Sequence, residues 1–497
     1  MPKAKAPAAC PLVWTDAERN ILKHNTRLRQ LFRGQHEMYF VLPNGEQRRY
    51  DYVTINWLGD SLSQTWKRML FRRFPLLTGD GSEEQQAAWE TLQHEMNLPA
   101  MCQPAALMVS WAGAADLKLY YSQAFQRVGL RLWGANNTEF ARWEYFDSDA
   151  AMPKAVNCWY RMTIPGRAQK TDAYVCERHE LMVDEDGAIA GVRVSNQAWK
   201  IEGTEPVRSP IAWEELYPDE LTRPMETEDI LGLMHLPVVR VENIDRDGDG
   251  QGDSDYTDSL ICLNKNVNKL VGVRQLVIDL CEMPFLEVPP EMLDEAGNFD
   301  FNKAKIRIRY GGEPSQTISL VNWTGNLQNS AAQLEHYRQE YRTLTGIAPT
   351  LMGDAEAGSR SLSESGYSRR LSMVPTEVEV MNRRAPWERA FTELMQVGMW
   401  LHQQHASGPE PMQKLSAQWP AAIPEDAVTT TTTTVAEMGA GLRSLESAVA
   451  LLNPDASPQW RQKEVDRILA ERATAQAALG NPFAPGPQED QKTEPPA

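Results

Sequence analysis

The sequence predicts an α+β protein. Two observations carry that expectation. Helical periodicity occupies both flanks of the chain, and between them, from Leu117 to Gly203, short runs alternate apolar with polar residues. A third, the length of 497 residues, allows two to four domains and a sizeable core.

The first helix is expected over 15–33. Thr15 can cap it, Glu18 completes a capping box, and Asp16 adds a second anion to the first turn. Further helices are expected over 60–73 and from an Asp80 cap through Met96. The alternating runs LKLYY, VGLRLW, ARWEYF, NCWYRMTI, DAYVCERHELMV, AGVRVSN and AWKIEG then predict an antiparallel sheet region. A periodic helix is expected over 257–283, with Leu260, Leu263, Val267, Leu270, Val271, Val277 and Leu280 on one side and Pro284 ending it. Residues 285–326 read as a small β-rich module. It contains the run AKIRIRYGG, and its exposed strand face carries Lys303, Lys305, Arg307 and Arg309, which suit either a partner or an edge blunted against aggregation.

Another amphipathic helix follows, with Leu327, Ala331, Leu334, Tyr337, Tyr341 and Leu344 on one face. Gly346 suits its C-terminus and Pro349 prevents continuation. Some twenty residues rich in Gly, Ser and Ala come next; a loop of that length is usually functional or disordered. From near Ser361 a long helix runs through Pro375 and Pro386, with one or two kinks expected. Six threonines, 429–434, predict an extended connection, since β-branched side chains favour it. A helical pair is expected over 441–452 and 458–478, and the Pro-rich tail from Gly480 has a disordered composition.

Charge and motifs narrow the function. The net charge is −17, but residues 1–73 carry +7 and residues 74–256 carry −16. The acidic balance argues against tight nucleic-acid binding by counterion release, and it suits a channel in which DNA slides. The basic leading segment reads as an attachment arm or as a solvated helical face. No apolar run reaches membrane-spanning length, and no signal-peptide pattern is expected. Six scattered cysteines suggest reduced thiols. Walker, zinc-protease, C-x-x-C and G-x-S-x-G motifs are absent, so no enzyme activity is expected. His402 and His405 lack a third ligand nearby. Asp245, Asp247, Asp249 and Asp253 match the early positions of a calcium loop, but the twelfth position is Tyr256, not a bidentate Glu. The segment therefore reads as a possible calcium site or as an acidic surface turn. The carboxylates from Asp245 to Asp258 also admit a metal-dependent nuclease or a calcium-binding interaction module as alternative functions.

A family resemblance rests on the order of several segments. Gly346-x-x-Pro, the small-residue loop, Ser361, Ser363, Ser365 and Gly366, then the long helix, resemble the core of siphovirus-type tailed-bacteriophage portal proteins. The strand from His235, the Gly252-Asp-Ser-Asp-Tyr segment with Asn264, Asn266 and Asn268 after it, and the segments from Trp419, Ile423, Gly441 and Glu464 are similar to that family too. The match covers roughly 230–475. It implies a mixed α/β wing over 1–256, stem helices over 257–284 and 327–346, and a clip over 285–326. It further implies a tunnel loop over 347–366, a long kinked helix returning to the wing over 367–434, a helical crown over 435–478 and a disordered tail from 479.

The resemblance implies a homo-oligomeric ring, typically a dodecamer, at the unique capsid vertex of a virion assembled in the host cytoplasm. Double-stranded DNA would pass through its channel during packaging and ejection. Its partners would be the terminase large subunit, a head–tail adaptor, and the major capsid and scaffold proteins. Channel residues would be Gly353, Gly358, Arg360, Ser361, Glu364, Arg369 and Arg370, and Lys303, Lys305, Arg307 and Arg309 would meet clip partners. The arginines equally suit a solvated helix start paired to Glu356 or Glu364.

Overall fold

The computed structural model describes residues 14–36, 39–41, 47–49, 55–136, 138–146, 149–163, 172–202, 205–217, 224–246, 252–282, 285–287, 319–321, 327–352, 366–422, 427–453, 456 and 458–479. These fall into two compact units, 1–422 and 423–497.

The first unit begins with α1 (Asp16–Phe32), whose Thr15–Glu18 capping box forms as the sequence predicts. β1 (Tyr39–Val41) and β2 (Gln47–Arg49) pair antiparallel. A π-helical turn, Trp57–Ser63, runs straight into α2 (Gln64–Phe71). β3 (Leu76–Gly79) leads to α3 (Glu83–Glu95). Ser82, not Asp80, caps α3, in a capping box with Gln85; Asp80 instead accepts from the Lys414 backbone N–H at 3.2 Å. α4 (Leu98–Ala112) was not legible in the sequence. It is apolar on most faces and contains Pro99 and Pro104, so no polar stripe marks its period. Its interior position explains this: Leu98, Cys102, Ala105, Ala106, Val109 and Trp111 are all buried.

The predicted strands form, and they divide between two sheets. β4 (Ala114–Ser122) lies between β5 (Arg127–Trp133) and β12 (Val238–Glu242). Ala115, Leu117 and Leu119 alternate inward along β4. The second sheet runs β10 (Glu205–Pro210), β9 (Ile189–Glu202), β8 (Asp172–Val183), β7 (Asp149–Thr163), β6 (Glu139–Phe146), with β11 (Thr227–Leu231) also on β9. The last two predicted runs are one strand, β9, because β11 and β10 pair with its successive halves. Trp14, Phe140, Trp159, Tyr174, Cys176 and Trp199 fill a core on this sheet. A short helix, α5 (Trp213–Leu216), follows β10.

α6 (Asp258–Glu282) and α7 (Leu327–Thr345) match the two expected helices and pack together. Between them the structure describes β13 (Phe285–Glu287) and β14 (Ser319–Val321), an antiparallel pair. α8 (Gly366–Ala406) runs 41 residues through both prolines. β15 (Leu415–Gln418) returns to pair with β3. α8 and this strand bring Trp387, Phe391 and Trp419 against Phe71 and Phe74. In the second unit, α9 (Ala427–Gly439) corrects the expectation for the threonine run, which is helical. Thr434 is buried, and its Oγ1 donates to the Thr430 carbonyl at 2.7 Å, which satisfies the hydroxyl within the helix. α10 (Leu445–Leu452) and α11 (Pro458–Leu479) match the predicted pair.

Gly346 adopts φ 66° at the end of α7, the left-handed conformation the sequence anticipates. Thr376 locks that end onto α8: its hydroxyl donates to the Gly346 carbonyl and accepts from the Ala348 N–H, both at 2.9 Å. Thr376→Val keeps the shape and deletes both bonds at a buried site. It should cost about 1–3 kcal/mol in urea unfolding. An unchanged midpoint would show that the latch carries no stability.

Candidate functional site

One buried polar network sits where the acidic segment meets α8. Asn243 follows the end of β12, and Asp255 and Tyr256 come just before α6. Arg383 reaches them from α8 with a forked guanidinium: Nη2 donates to Asp255 Oδ1 at 2.8 Å, and Nη1 donates to Asp255 Oδ2 at 3.1 Å and to Asn243 Oδ1 at 2.7 Å. Asn243 Nδ2 donates to Asp255 Oδ1 at 2.9 Å, and Ser110 Oγ donates to Asp255 Oδ2 at 2.7 Å. Ser110 has one proton and gives it to the carboxylate. The 2.9 Å contact with Ser63 therefore runs from Ser63 to Ser110, and Tyr256 donates to Ser63, also at 2.9 Å. The guanidinium lies 4.2 Å from the Trp66 ring centroid. Burial pushes the Tyr256 hydroxyl well above the usual tyrosine range. The network has no histidine, and both serines are committed as donors toward Asp255. It is a lock, not a nucleophilic centre.

A second set of contacts roots α6 and α7. Asn268 Oδ1 accepts from the Ile55 N–H at 2.6 Å and its Nδ2 donates to the Ile55 carbonyl at 2.9 Å, gripping that residue as a neighbouring strand would. Asn264 Oδ1 accepts from the Trp57 N–H at 3.0 Å, and its Nδ2 lies 3.2 Å from His36 Nε2. From α7, Tyr341 donates to the Trp57 carbonyl at 2.8 Å. Both helices therefore hold the same strap, residues 55–57. Asn264 and Asn268 stand one turn apart beside the apolar stripe of α6, a spacing that signals their role; nothing in the sequence distinguishes Arg383 from its neighbour Arg384.

Most sequence-predicted site residues lie outside the described residues: Gly353, Gly358, Arg360, Ser361, Glu364, Lys303, Lys305, Arg307, Arg309, Asp247 and Asp249. Arg369 and Arg370 belong to the first turns of α8. Asp245 is exposed, and Asp253 Oδ2 accepts from the Arg246 N–H at 2.7 Å. Tyr256, at the twelfth position of the possible calcium loop, points into the core. Asp255 is occupied by Arg383, and Asp258 lies 3.6 Å from exposed Arg27. Among the described residues no cluster of three His, Cys, Asp or Glu side chains could hold a metal ion. His402 is half-buried, and His405 stacks on Tyr121 with centroids 4.2 Å apart.

A cavity of about 500 Å³ lies beside the network, lined by His24, Asn25, Asp116, Arg142, Trp143 and Arg240 among others. Burial pushes the Asp116 carboxyl up, against the pull of Arg240 at 3.8 Å and of the Trp143 indole N–H at 2.8 Å. Nearby, burial raises Glu242 on β12, opposed by Arg240 and Arg389. Burial pushes Glu393 on α8 up to about 7; Arg389 opposes this and Glu242 adds to it.

Comparison with protein-family models finds no match, and comparison with curated proteins finds no similar sequence.

Two outcomes follow from these groups. Arg383→Met strands the Asp255 carboxylate and should cost about 3–5 kcal/mol, while adding Asp255→Asn should recover part of it. Equal costs for the single and double variants in denaturant titration would argue against a coupled pair. For Glu393 the folded-state value lies above the ordinary 4.5, so the folded chain binds this proton more tightly. Its stabilisation is complete below about pH 4.5 and is lost as pH rises toward 7, by at most about 3 kcal/mol. Glu393→Gln should flatten that slope and raise the urea midpoint at pH 8. A lower midpoint at pH 8 would contradict it.

Proposed function

We propose that this chain is a portal-type protein. Copies would form a ring through which double-stranded DNA passes. The carrying observation is the succession of parts from α6 to α8. Two packed helices rise from one strap of the body, an antiparallel strand pair stands at their other end, and a 41-residue helix follows, anchored through Arg383. That succession is what supports reading these parts as stem, clip, stem, tunnel loop and long helix.

In this reading the roots are rigid and the working parts lie at the tips. Residues 353–365 join α7 to α8, and their small side chains would let neighbouring copies form a narrow constriction. The chain's acidic balance keeps DNA from sticking, and Arg360, Arg369 and Arg370 would make transient phosphate contacts. Lys303, Lys305, Arg307 and Arg309 would face the terminase or adaptor. The nuclease alternative is weaker, because Asp255 is bound on both oxygens within the core.

Negative-stain images of the purified full-length chain test the proposal: rings with a central hole are expected. Deleting 353–360 should leave the rings intact and abolish DNA packaging. Monomers or two-fold dimers at micromolar concentration would sink the reading, and packaging by the deleted ring would sink the assignment of the loop.

A further inference from the structure

α8 has two unlike halves. From Trp387 onward its inward side chains, Trp387, Phe391, Leu394, Met395 and Val397, fill the main core. Its earlier half turns Thr376, Val380 and Arg383 inward. On the opposite side, Leu371, Val374, Val378 and Met381 are 53%, 41%, 49% and 55% exposed. Exposed Ala385 continues the row. The steps of three, four, three and four residues are those of a helix–helix seam. The row is about 20 Å long at 1.5 Å per residue. A contiguous apolar surface of this kind on a helix marks a contact.

What covers it can be argued from the rest of the chain. The adjoining segment 353–365 has a single large apolar residue, Leu362, and cannot fill a five-position seam. β13 and β14 precede α7, a helix about 28 Å long whose far end meets α8. Charge supplies the positive argument. Glu377 borders the row on one side, and Glu379 lies beyond its other side, toward Gly346 at the end of α7. The outward ridge of α6 carries Lys265, Lys269 and Val273, all exposed, at steps of four. Neither lysine has an acidic partner within ion-pair distance among the described residues. Lysine stems can lie over apolar surface while their ammonium groups reach flanking carboxylates.

We propose that the outer face of α8 is covered by the outward ridge of α6 from a second copy of this chain. The contact is head-to-tail, because the two surfaces differ, and such contacts close into rings when the rotation allows. The inference rests on the multi-copy reading above and adds the surfaces that meet.

The test uses the full chain, mixed as equal parts unlabelled and ¹⁵N-labelled protein and treated with a zero-length carbodiimide cross-linker. Hybrid peptides joining Lys265 or Lys269 of one copy to Glu377 or Glu379 of another are expected. In parallel, Val374→Glu with Val378→Glu should weaken assembly on the order of tenfold or more, with helical content unchanged because both positions are exposed within one copy. Should that variant misfold, Lys265→Glu with Lys269→Glu should weaken assembly, and Glu377→Lys with Glu379→Lys added should restore it. Rings that persist in these variants, with hybrid cross-links elsewhere, overturn this inference and leave the portal reading standing. An assembly that is not a ring but shows these cross-links supports the inference and removes the portal reading. A monomeric parent chain overturns both.

Discussion

The Asp255–Arg383 pair is the constraint on which the arrangement of the first unit depends. Two buried charges are tolerable only when they are paired with each other and hydrogen-bonded by their neighbours. Here Asp255 Oδ1 receives Arg383 and Asn243, and Oδ2 receives Ser110 and Arg383. Asp255 and these partners come from four different pieces of chain: the residues before α6, the end of β12, the C-terminal part of α4, and the middle of α8. One carboxylate therefore sets where three helices meet one sheet edge. Moving any of these pieces by an ångström would leave a buried charge short of a partner, so the junction has one low-energy geometry. α6 begins at Asp258, directly after Thr257, and the Thr257 hydroxyl accepts from the Leu260 N–H at 3.4 Å. The direction of α6 is thus tied to the lock at its first turn.

How much of this was legible depended on whether a residue's neighbours in sequence are also its neighbours in space. The strands were readable from apolar, β-rich runs separated by turn residues; alternation between a buried and a wetter face holds along β4, whereas β7 and β8 are covered on both faces over Ala155–Trp159 and Ala173–Cys176. α1 was readable down to its capping box, because Thr15 and Glu18 are three residues apart. α4 failed for the opposite reason: a helix buried on most sides shows no period. The threonine run failed because propensity is weak against tertiary context, and α9 is helical regardless. The lock was invisible, since Asp255 and Arg383 are 128 positions apart and each sits in a locally ordinary segment. Among the proposed site residues, the cations and glycines of the loop and clip fall outside the described residues. The structure speaks to their supports: α6, α7, Thr376 and the strap at 55–57.

Those supports share a feature that bears on function. The strap is gripped by side-chain amides and a phenol, not by apolar packing alone. Asn268 bonds both polar groups of Ile55, as a paired strand would, which fixes register as well as position. An apolar contact tolerates sliding by a few ångströms; a double hydrogen bond does not. α6 and α7 are therefore held at a defined height on the body.

Pro375 and Pro386 complete the mechanical picture. Each removes a backbone donor from the helix, so the carbonyls of Leu371 and Asn382 lose their usual partners and the helix is weakest there. Between the two prolines lie both the Thr376 latch and the Arg383 lock, and these hold the intervening turns from the side. The softest unlatched part of α8 is then the stretch before Pro375, which leads back to residues 353–365. Displacement of that segment would bend the helix near Leu371 before it could disturb Asp255. A helix built this way isolates a core-forming half from a half that can yield, and the side-chain hydroxyl of Thr376 marks the boundary.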